Sequence, residues 1–367
     1  MHQAQKKVII GMSGGVDSSV AAYLLKSQGY DVIGVHMKYW NEQDDIDINE
    51  QGIVSHISGR SNKCCSLESV EDARQVAMKI GIPIYVVDFK TEFKKRIVDY
   101  YIEQFEMGNT PNPCVICNRD VKFGLLMDYA TKLGVDYVST GHYARVSKVD
   151  DYYHLLKAVD ETKDQSYFLC LLSQTQLSKI ILPLGDMSKD NVRKIATDQG
   201  LITARKHDSQ DLCFVHEDYR SFLKKYLNNI KKGPITLSDG RVIGEHKGLP
   251  LYTLGQRKGV ETKLNVPLYV LSKNLESNTL VVGNVDDYNS NEILIRNFNK
   301  IGFSTYQNDT DGVALRYQGK ISPIMQMTNI NNNDVQLKLT VSTTGATPGQ
   351  FAVIYNKDRC IGGGIIG

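Results

Sequence analysis

Two groups of residues in this chain have the types and spacing that chemistry requires. The first is Ser13-Gly14-Gly15-Val16-Asp17-Ser18, which follows the strand-like run Lys7–Ile10 and opens a helical stretch, Ser18–Gln28. Paired glycines let a backbone approach an anion closely and accept positive φ. A helix start adds unpaired N–H groups and the favourable end of the helix dipole, and Ser13 and Ser18 can add hydroxyl donors. With Gly11 and Met12 before it, the string reads as a phosphate loop at the end of a strand. It is not the Gly-Lys-Ser/Thr type, because no such sequence follows. A plain strand-to-helix turn is the bland alternative. The complete six-residue string in a strand–loop–helix setting favours phosphate over it.

The second group is the cysteines. There are seven: Cys64, Cys65, Cys114, Cys117, Cys170, Cys213 and Cys360. An odd number in a long chain without a secretory leader argues against a disulfide scaffold, so clustered thiols point to chemistry or metal binding. Cys114 and Cys117 lie in Thr110-Pro111-Asn112-Pro113-Cys114-Val115-Ile116-Cys117-Asn118. The prolines impose a non-helical approach, and a helix expected just after them puts Cys117 near a helix N-terminus, where a thiolate is favoured. Arg119 and Lys122 add positive charge. Cys213 lies in Asp208-Ser209-Gln210-Asp211-Leu212-Cys213-Phe214-Val215, where the first pattern of elements ends. Cys170, within Phe168–Leu172, and Cys360 fit small buried core residues.

The elements that must position these groups fall into two styles. Up to about residue 205, strands (Lys7–Ile10, Asp31–Met37, Ile84–Asp88, Asp136–Ser139) alternate with helices (Ser18–Gln28, Ser69–Ile80, Glu92–Phe105, Asp120–Leu133). That alternation predicts an α/β fold with a mainly parallel sheet covered on both faces. Its ligands belong at the carboxyl ends of the strands, where Gly34–Met37 and Gly141-His142-Tyr143 stand. Beyond Asp208 comes one helix, Glu217–Leu227, and then short strands and turns, with alternating runs at Val335–Val341 and Phe351–Tyr355 that suit small barrels. Residues 41–62 read as a mobile inserted loop. With 41% hydrophobic and 23% charged residues and a net charge of +2, the chain is not a polycation, so a nucleic-acid surface would need local clusters of Lys and Arg. No stretch approaches 18 apolar residues and no signal peptide precedes the first strand, so a cytoplasmic, non-membrane protein is expected.

Ser13–Ser18 resembles the signature of the PP-loop ATP pyrophosphatases, which cleave ATP between the α- and β-phosphates and transfer AMP to an oxygen. That resemblance implies ATP contacts from Gly11, Met12, Ser13, Gly14, Gly15, Val16, Asp17, Ser18, Met37 and Gly141, with Asp17 helping to hold Mg²⁺ and pyrophosphate. A wider set of motifs is similar to the tRNA-specific 2-thiouridylases of the MnmA/TRMU family. It comprises Pro111–Pro113 with Cys117-Asn118, Lys122-Phe123-Gly124, Lys163–Leu169, Asp208–Phe214, Gly255–Gly259, Thr347–Gln350 and Gly362–Gly364, in order over nearly the whole chain. This resemblance implies a doubly wound, Rossmann-like HUP-type domain at 1–207, a small central tRNA-binding domain at 208–287 and a C-terminal β-barrel at 288–367. It further implies adenylation of oxygen 2 of the wobble uridine, a persulfide on Cys213, assistance by Cys117 and a transient Cys117–Cys213 disulfide. On tRNA it places Asn112, Pro113, Cys114, His142, Lys163, Asp164, Gln165, Arg316, Tyr317 and Gln350. The implied substrates are tRNAs for Lys, Glu and Gln, with a sulfur-relay protein or cysteine desulfurase as donor.

Two departures leave alternatives open. Cys114 stands where many members carry Asp, and Cys64-Cys65 replaces a more usual single Cys. Cys114 can be a spectator beside the target base, a disulfide partner of Cys117, or with Cys117 and Cys213 a ligand of an iron–sulfur cluster. Two rival functions also stand: an amide-forming PP-loop ligase similar to argininosuccinate synthetase, which needs no paired cysteines, and a non-catalytic RNA-binding protein with a vestigial loop.

Overall fold

Val8, Ile9 and Ile10 are apolar without alternation and fully buried, as expected for a central strand covered on both faces. They belong to a computed structural model that describes residues 5–41, 67–208, 212–215, 218–228, 230–262, 264, 266–302 and 311–367. The loop expected at 41–62, and Cys64 and Cys65, lie outside the described residues except for Asn41. The chain divides into two compact units, one of 1–98, 114–216 and 358–360, the other of 99–113, 217–357 and 361–367.

In the first unit, β1 (Lys7–Gly11), β2 (Asp31–Lys38), β3 (Ile84–Asp88) and β4 (Tyr137–Ser139) are the four expected strands, each within a residue of its predicted ends. A hairpin of β5 (Ala144–Val149) and β6 (Tyr152–Lys157) follows, then β7 (Ile180–Ile181). The sheet runs β3-β2-β1-β4-β7 and every pairing is parallel. The order reverses between β1 and β4, so the ligand crevice of such a sheet opens beyond Gly11 and Ser139. The helix Val16–Ser27 buries Val16, Val20, Ala21 and Leu25 into a core shared with Val8, Ile10, Ala73, Val76, Val192 and Ala196.

Two predicted helices differ from expectation in the same way. The stretch from Lys90 to Glu106 is α-helical only at its ends, with a π-helical turn at Lys94–Val98. The other starts at Pro113 rather than near Asp120 and passes through a π-helical segment, Asn118–Leu125, before Leu126–Lys132. Proline suits the first helical position, because its missing N–H would be unpaired there anyway. Cys117 is therefore a full turn inside the helix and not at its N-terminus, which corrects the position read from sequence.

In the second unit the helix Tyr219–Tyr226 is capped by Asp218. Next come β8 (Gly233–Thr236), β9 (Val242–His246), β10 (Tyr269–Asn274) and β11 (Thr279–Gly283), forming a sheet in the order β10-β11-β8-β9. Six further strands follow: β12 (Ser290–Lys300), β13 (Asp311–Ala314), β14 (Ser322–Asn329), β15 (Val335–Thr343), β16 (Phe351–Asn356) and β17 (Arg359–Ile366). They run β12-β15-β14-β13-β16-β17, and β17 pairs back onto β12, closing an antiparallel barrel around Ile293, Ile295, Val313, Leu337, Leu339 and Ile354. The parallel-sheet domain, small central domain and closed barrel are thus all present. No helix among the described residues is long and apolar enough to cross a membrane.

Candidate active site

The phosphate loop leaves β1 with Met12, whose N–H still reaches Val35 O at 2.8 Å and whose side chain is buried. Val16 is also buried, so these two residues offer the crevice backbone rather than side chains. Ser18 Oγ closes the loop: it accepts from Ser13 N at 3.3 Å, lies 3.3 Å from Ser13 Oγ and donates to Gly15 O at 3.1 Å. Gly14 has φ +73°, and a β carbon there would collide with the Ser69 carbonyl. Gly141 presses on the loop from β4. A β carbon on it would lie 2.6 Å from Ser18 N and 2.7 Å from Asp17 C. Glycine is needed at 141 because two backbones meet there, a more local reason than approach of a nucleotide. Met37 covers Gly11 and receives a 3.3 Å hydrogen bond on its sulfur from Tyr39.

Asp17 is the centre of a charged network that sequence reasoning missed. Lys189 Nζ lies 2.7 and 2.8 Å from its two carboxylate oxygens, and Tyr143 donates to Oδ1 at 2.8 Å. The same ammonium reaches Asp208 at 2.8 Å, and Asp208 also pairs with Lys163 and Arg193, each at 3.0 Å. Burial opposes ionisation of Asp208, but hydrogen bonds from Lys189 and Lys163 outweigh it and hold the carboxyl below its ordinary range. Burial first, then the Asp17 charge, push the Tyr143 hydroxyl upward, so it serves as a neutral donor. Lys189 is 172 residues from Asp17 and follows a Ser cap, so in sequence it looks like an ordinary helix start.

The Lys163–Gln165 motif supports this network. Gln165 grips Tyr143 twice, donating its own N–H to Tyr143 O at 2.8 Å and accepting from Tyr143 N at 2.9 Å. Asp164 accepts from Ala158 N, Ser166 N and Ser166 Oγ, and burial raises its carboxyl despite those bonds. Lys163 is tied to Asp208. All three residues expected on tRNA therefore have partners inside the first unit.

Cys114 and Cys117 lie in the helix from Pro113. Cys117 is buried and Cys114 half-buried. Burial pushes the Cys114 thiol up, with Lys122 opposing, so Cys114 is poorly suited to act as a thiolate. His142 shares a 2.7 Å hydrogen bond with Thr140 and lies against Phe123. Burial and then Lys122 hold it well below the ordinary histidine value, so it is neutral. Asn118, beside Cys117, donates to Phe168 O at 3.3 Å. Cys213 sits half-buried in a turn pinned by Phe214, which packs edge-on against Phe93 at 5.9 Å. Phe93 in turn stacks on Tyr39 at 4.9 Å, which leads back to Met37. Among the described residues no three His, Cys, Asp or Glu side chains could hold a metal ion, so Cys114, Cys117 and Cys213 do not gather as an iron–sulfur site here. Cys170 and Cys360 are fully buried, as expected.

The other expected tRNA residues belong to the second unit. Arg316 is exposed and Tyr317 half-buried in the turn after β13. Gln350 donates to Thr110 O at 2.9 Å, while Thr110 N reaches Pro348 O at 2.9 Å, so the Thr347–Gln350 turn holds the segment leading to Asn112 and Pro113.

Comparison with known proteins agrees with this layout. The family model described as the tRNA methyl transferase HUP domain matches residues 6–217, its PRC-barrel domain 220–284, and the aminomethyltransferase beta-barrel domain 291–366. The tRNA-specific 2-thiouridylase MnmA 2 of Clostridium tetani is 42% identical over 100% of both chains. The tRNA-specific 2-thiouridylase MnmA of Clostridioides difficile is 43% identical over 98% of both. Among solved structures, a 4-thiouridine synthetase–RNA complex with bound ATP aligns over 60% of this chain and 50% of that one, at 16% identity and a TM-score of 0.31, a likeness too slight to build on. At 42% and 43% identity to those two relatives over nearly the whole of each chain, the chain belongs to the tRNA-specific 2-thiouridylase family.

Proposed function

We propose that the chain is a tRNA-uridine 2-sulfurtransferase that uses ATP to convert the wobble uridine of tRNAs for Lys, Glu and Gln to 2-thiouridine. The observation that carries this is a phosphate loop at the switch point of a parallel sheet, in the same unit as Cys117 and a pinned, half-exposed Cys213. Uridine oxygen 2 attacks the α-phosphorus of ATP, the bond to the bridging oxygen breaks, and pyrophosphate leaves with the electron pair. The oxygen is then part of a good leaving group. A persulfide on Cys213 carries the sulfur, loaded by a sulfur-relay protein or cysteine desulfurase. Attack of the Cys117 thiolate on Cys213 Sγ closes a disulfide and releases the terminal sulfur to C2, AMP departs, and an external thiol reductant restores both cysteines.

Gly11–Ser18, Met37 and Gly141 form the ATP side of this site. Asp17 offers the hard oxygen ligand that Mg²⁺ prefers, and it already holds a cation, the Lys189 ammonium. When bound, Mg²⁺ neutralises triphosphate charge. Asn112, Pro113, Cys114, His142 and Lys163–Gln165 are assigned to the target base and its strand, and Arg316, Tyr317 and Gln350 to the rest of the tRNA, since base-specific readout works on splayed single-stranded bases. Cys114 is a spectator beside that base. We take 1–207 as the catalytic domain, 208–287 as the central tRNA-binding domain and 288–367 as the barrel, acting in the cytoplasm.

Mass spectrometry of wobble uridines from cells lacking the gene tests the assignment: 2-thiouridine should disappear from these three tRNAs and return with the intact gene but not with Cys213→Ser. Unchanged 2-thiouridine in the deletion would remove the assignment. Full rescue by Cys213→Ser would leave the amide-forming alternative.

A further inference from the structure

We infer that Lys189 is a triphosphate-binding residue, whose ammonium passes from Asp17 to the β- and γ-phosphoryl oxygens when magnesium-bound ATP enters. The inference rests on the proposal that Ser13–Ser18 binds ATP. It starts from three facts. The ammonium bridges both carboxylate oxygens of Asp17, within the phosphate loop itself. Its third contact is Asp208, so its three protons are all engaged. And the residue is only 7% exposed, so it does not leave the crevice for solvent at small cost.

Those facts conflict with a second cation on Asp17. A divalent ion on that carboxylate would face an ammonium less than 3 Å from the same oxygens, and like charges at such range repel strongly in a partly dry site. The ammonium must therefore give up Asp17. Burial and the anchoring of its helix prevent a large excursion: its own N–H is fixed to Asp160 at 2.9 Å, and Ser188 caps the helix start. Asp208 is held independently by Lys163 and Arg193, and so remains as an anchor. The negative groups that then come within reach are the phosphates bound in the loop. Lys189 thus acts first as internal counter-ion to Asp17, holding that carboxylate in place, and then as a clamp on the portion of ATP that leaves as pyrophosphate.

Isothermal titration with Mg²⁺ plus α,β-methylene-ATP, which cannot be cleaved at the scissile bridge, and separately with AMP, tests this. The chains compared are the unaltered full-length protein, Lys189→Met, Lys189→Arg and the double variant Lys189→Met with Asp208→Asn. Lys189→Met leaves Asp208 paired with Lys163 and Arg193 but makes the crevice more negative by one charge; the double variant offsets that charge, so it keeps the test valid if Lys189→Met folds poorly. Losing a charge-assisted contact should weaken analogue binding about ten- to a hundredfold in both Met variants, with AMP affinity unchanged, and Lys189→Arg should recover part of the loss. Analogue binding within about twofold of the unaltered chain in a folded Met variant, or an equal loss for AMP and analogue, overturns the inference. An analogue that the unaltered chain does not bind overturns the ATP reading along with it.

Discussion

His142 shows what a single residue contributes and how far its role was legible. Its motif, Gly141-His142-Tyr143, marks a strand end beside a ligand crevice, and that was readable in the sequence. Its protonation state was not, because it depends on the Thr140 hydroxyl, the Phe123 ring and Lys122, two of which arrive from a helix distant in sequence. With its folded pKa held below 6.5, the imidazole is neutral in folded and unfolded chains alike above that pH, and it then has no effect on the pH dependence of stability. Below 6.5 the unfolded chain binds a proton that the folded chain refuses. Stability therefore falls with pH, by up to about 1.4 kcal/mol per unit, until the folded pKa is reached. A His142→Gln chain should lack this slope. Thermal melts of both chains from pH 8 to pH 5 should diverge in slope only below about 6.5; parallel curves would show that the imidazole is not held neutral. Lys189 escaped the sequence reading for a related reason: an ion pair across 172 residues leaves no local pattern.

At the scale of elements, the central strand was legible as a short apolar run, Val8, Ile9 and Ile10, and the first helix from the glycine-rich turn that opens it. The π-helical turns at Lys94–Val98 and Asn118–Leu125 were not, since a π turn adds a residue to a helix without its own composition signal. Cys117 was expected at a helix start for a different reason: the helix was read as beginning near Asp120, whereas it begins at Pro113, so Cys117 is found one turn inside. The junction of β4 with the helix Val16–Ser27 carries a sharp prediction. Gly141 has no space for a β carbon against Ser18 N and Asp17 C, whereas one on Gly15 would meet only Ser13 Oγ, at 3.4 Å. Gly141→Ala should push the helix start out of place, costing about 1–3 kcal/mol by overpacking, and should weaken ATP-analogue binding. Gly15→Ala should keep the melting temperature of the unaltered chain. Equal melting temperatures for both variants would mean that the contact at Gly141 yields freely.

At the scale of the whole molecule, the connectivity is less simple than the linear order of motifs suggests. The chain passes between its two compact units at 98/99, 113/114, 216/217, 357/358 and 360/361. Composition and turn signals divide a sequence into successive blocks, so they could show an α/β part followed by β parts but not this threading. Asp358–Cys360 belong to the first unit although they come near the end of the chain. There Asp358 accepts from Lys157 N at 2.7 Å and pairs with Arg145 at 2.9 Å, Arg359 and Cys360 register with Leu156 and Leu155, and Cys360 lies close enough to Cys170 to raise its thiol further. A fragment ending at His216 therefore lacks three residues of its own first unit. The Arg145–Asp358 pair is partly exposed and worth little by itself. The lost edge hydrogen bonds and the uncovering of Leu155 and Cys170 weigh more, and together should cost the fragment about 2–4 kcal/mol relative to the same unit in the full chain. Thermal unfolding followed by circular dichroism, with and without α,β-methylene-ATP, would measure this. The fragment should unfold at lower temperature and regain part of the difference with nucleotide, because ligand binding to the folded form raises its apparent stability. A fragment as stable as the full chain would show that Asp358–Cys360 merely rest on the β5–β6 hairpin without supporting it.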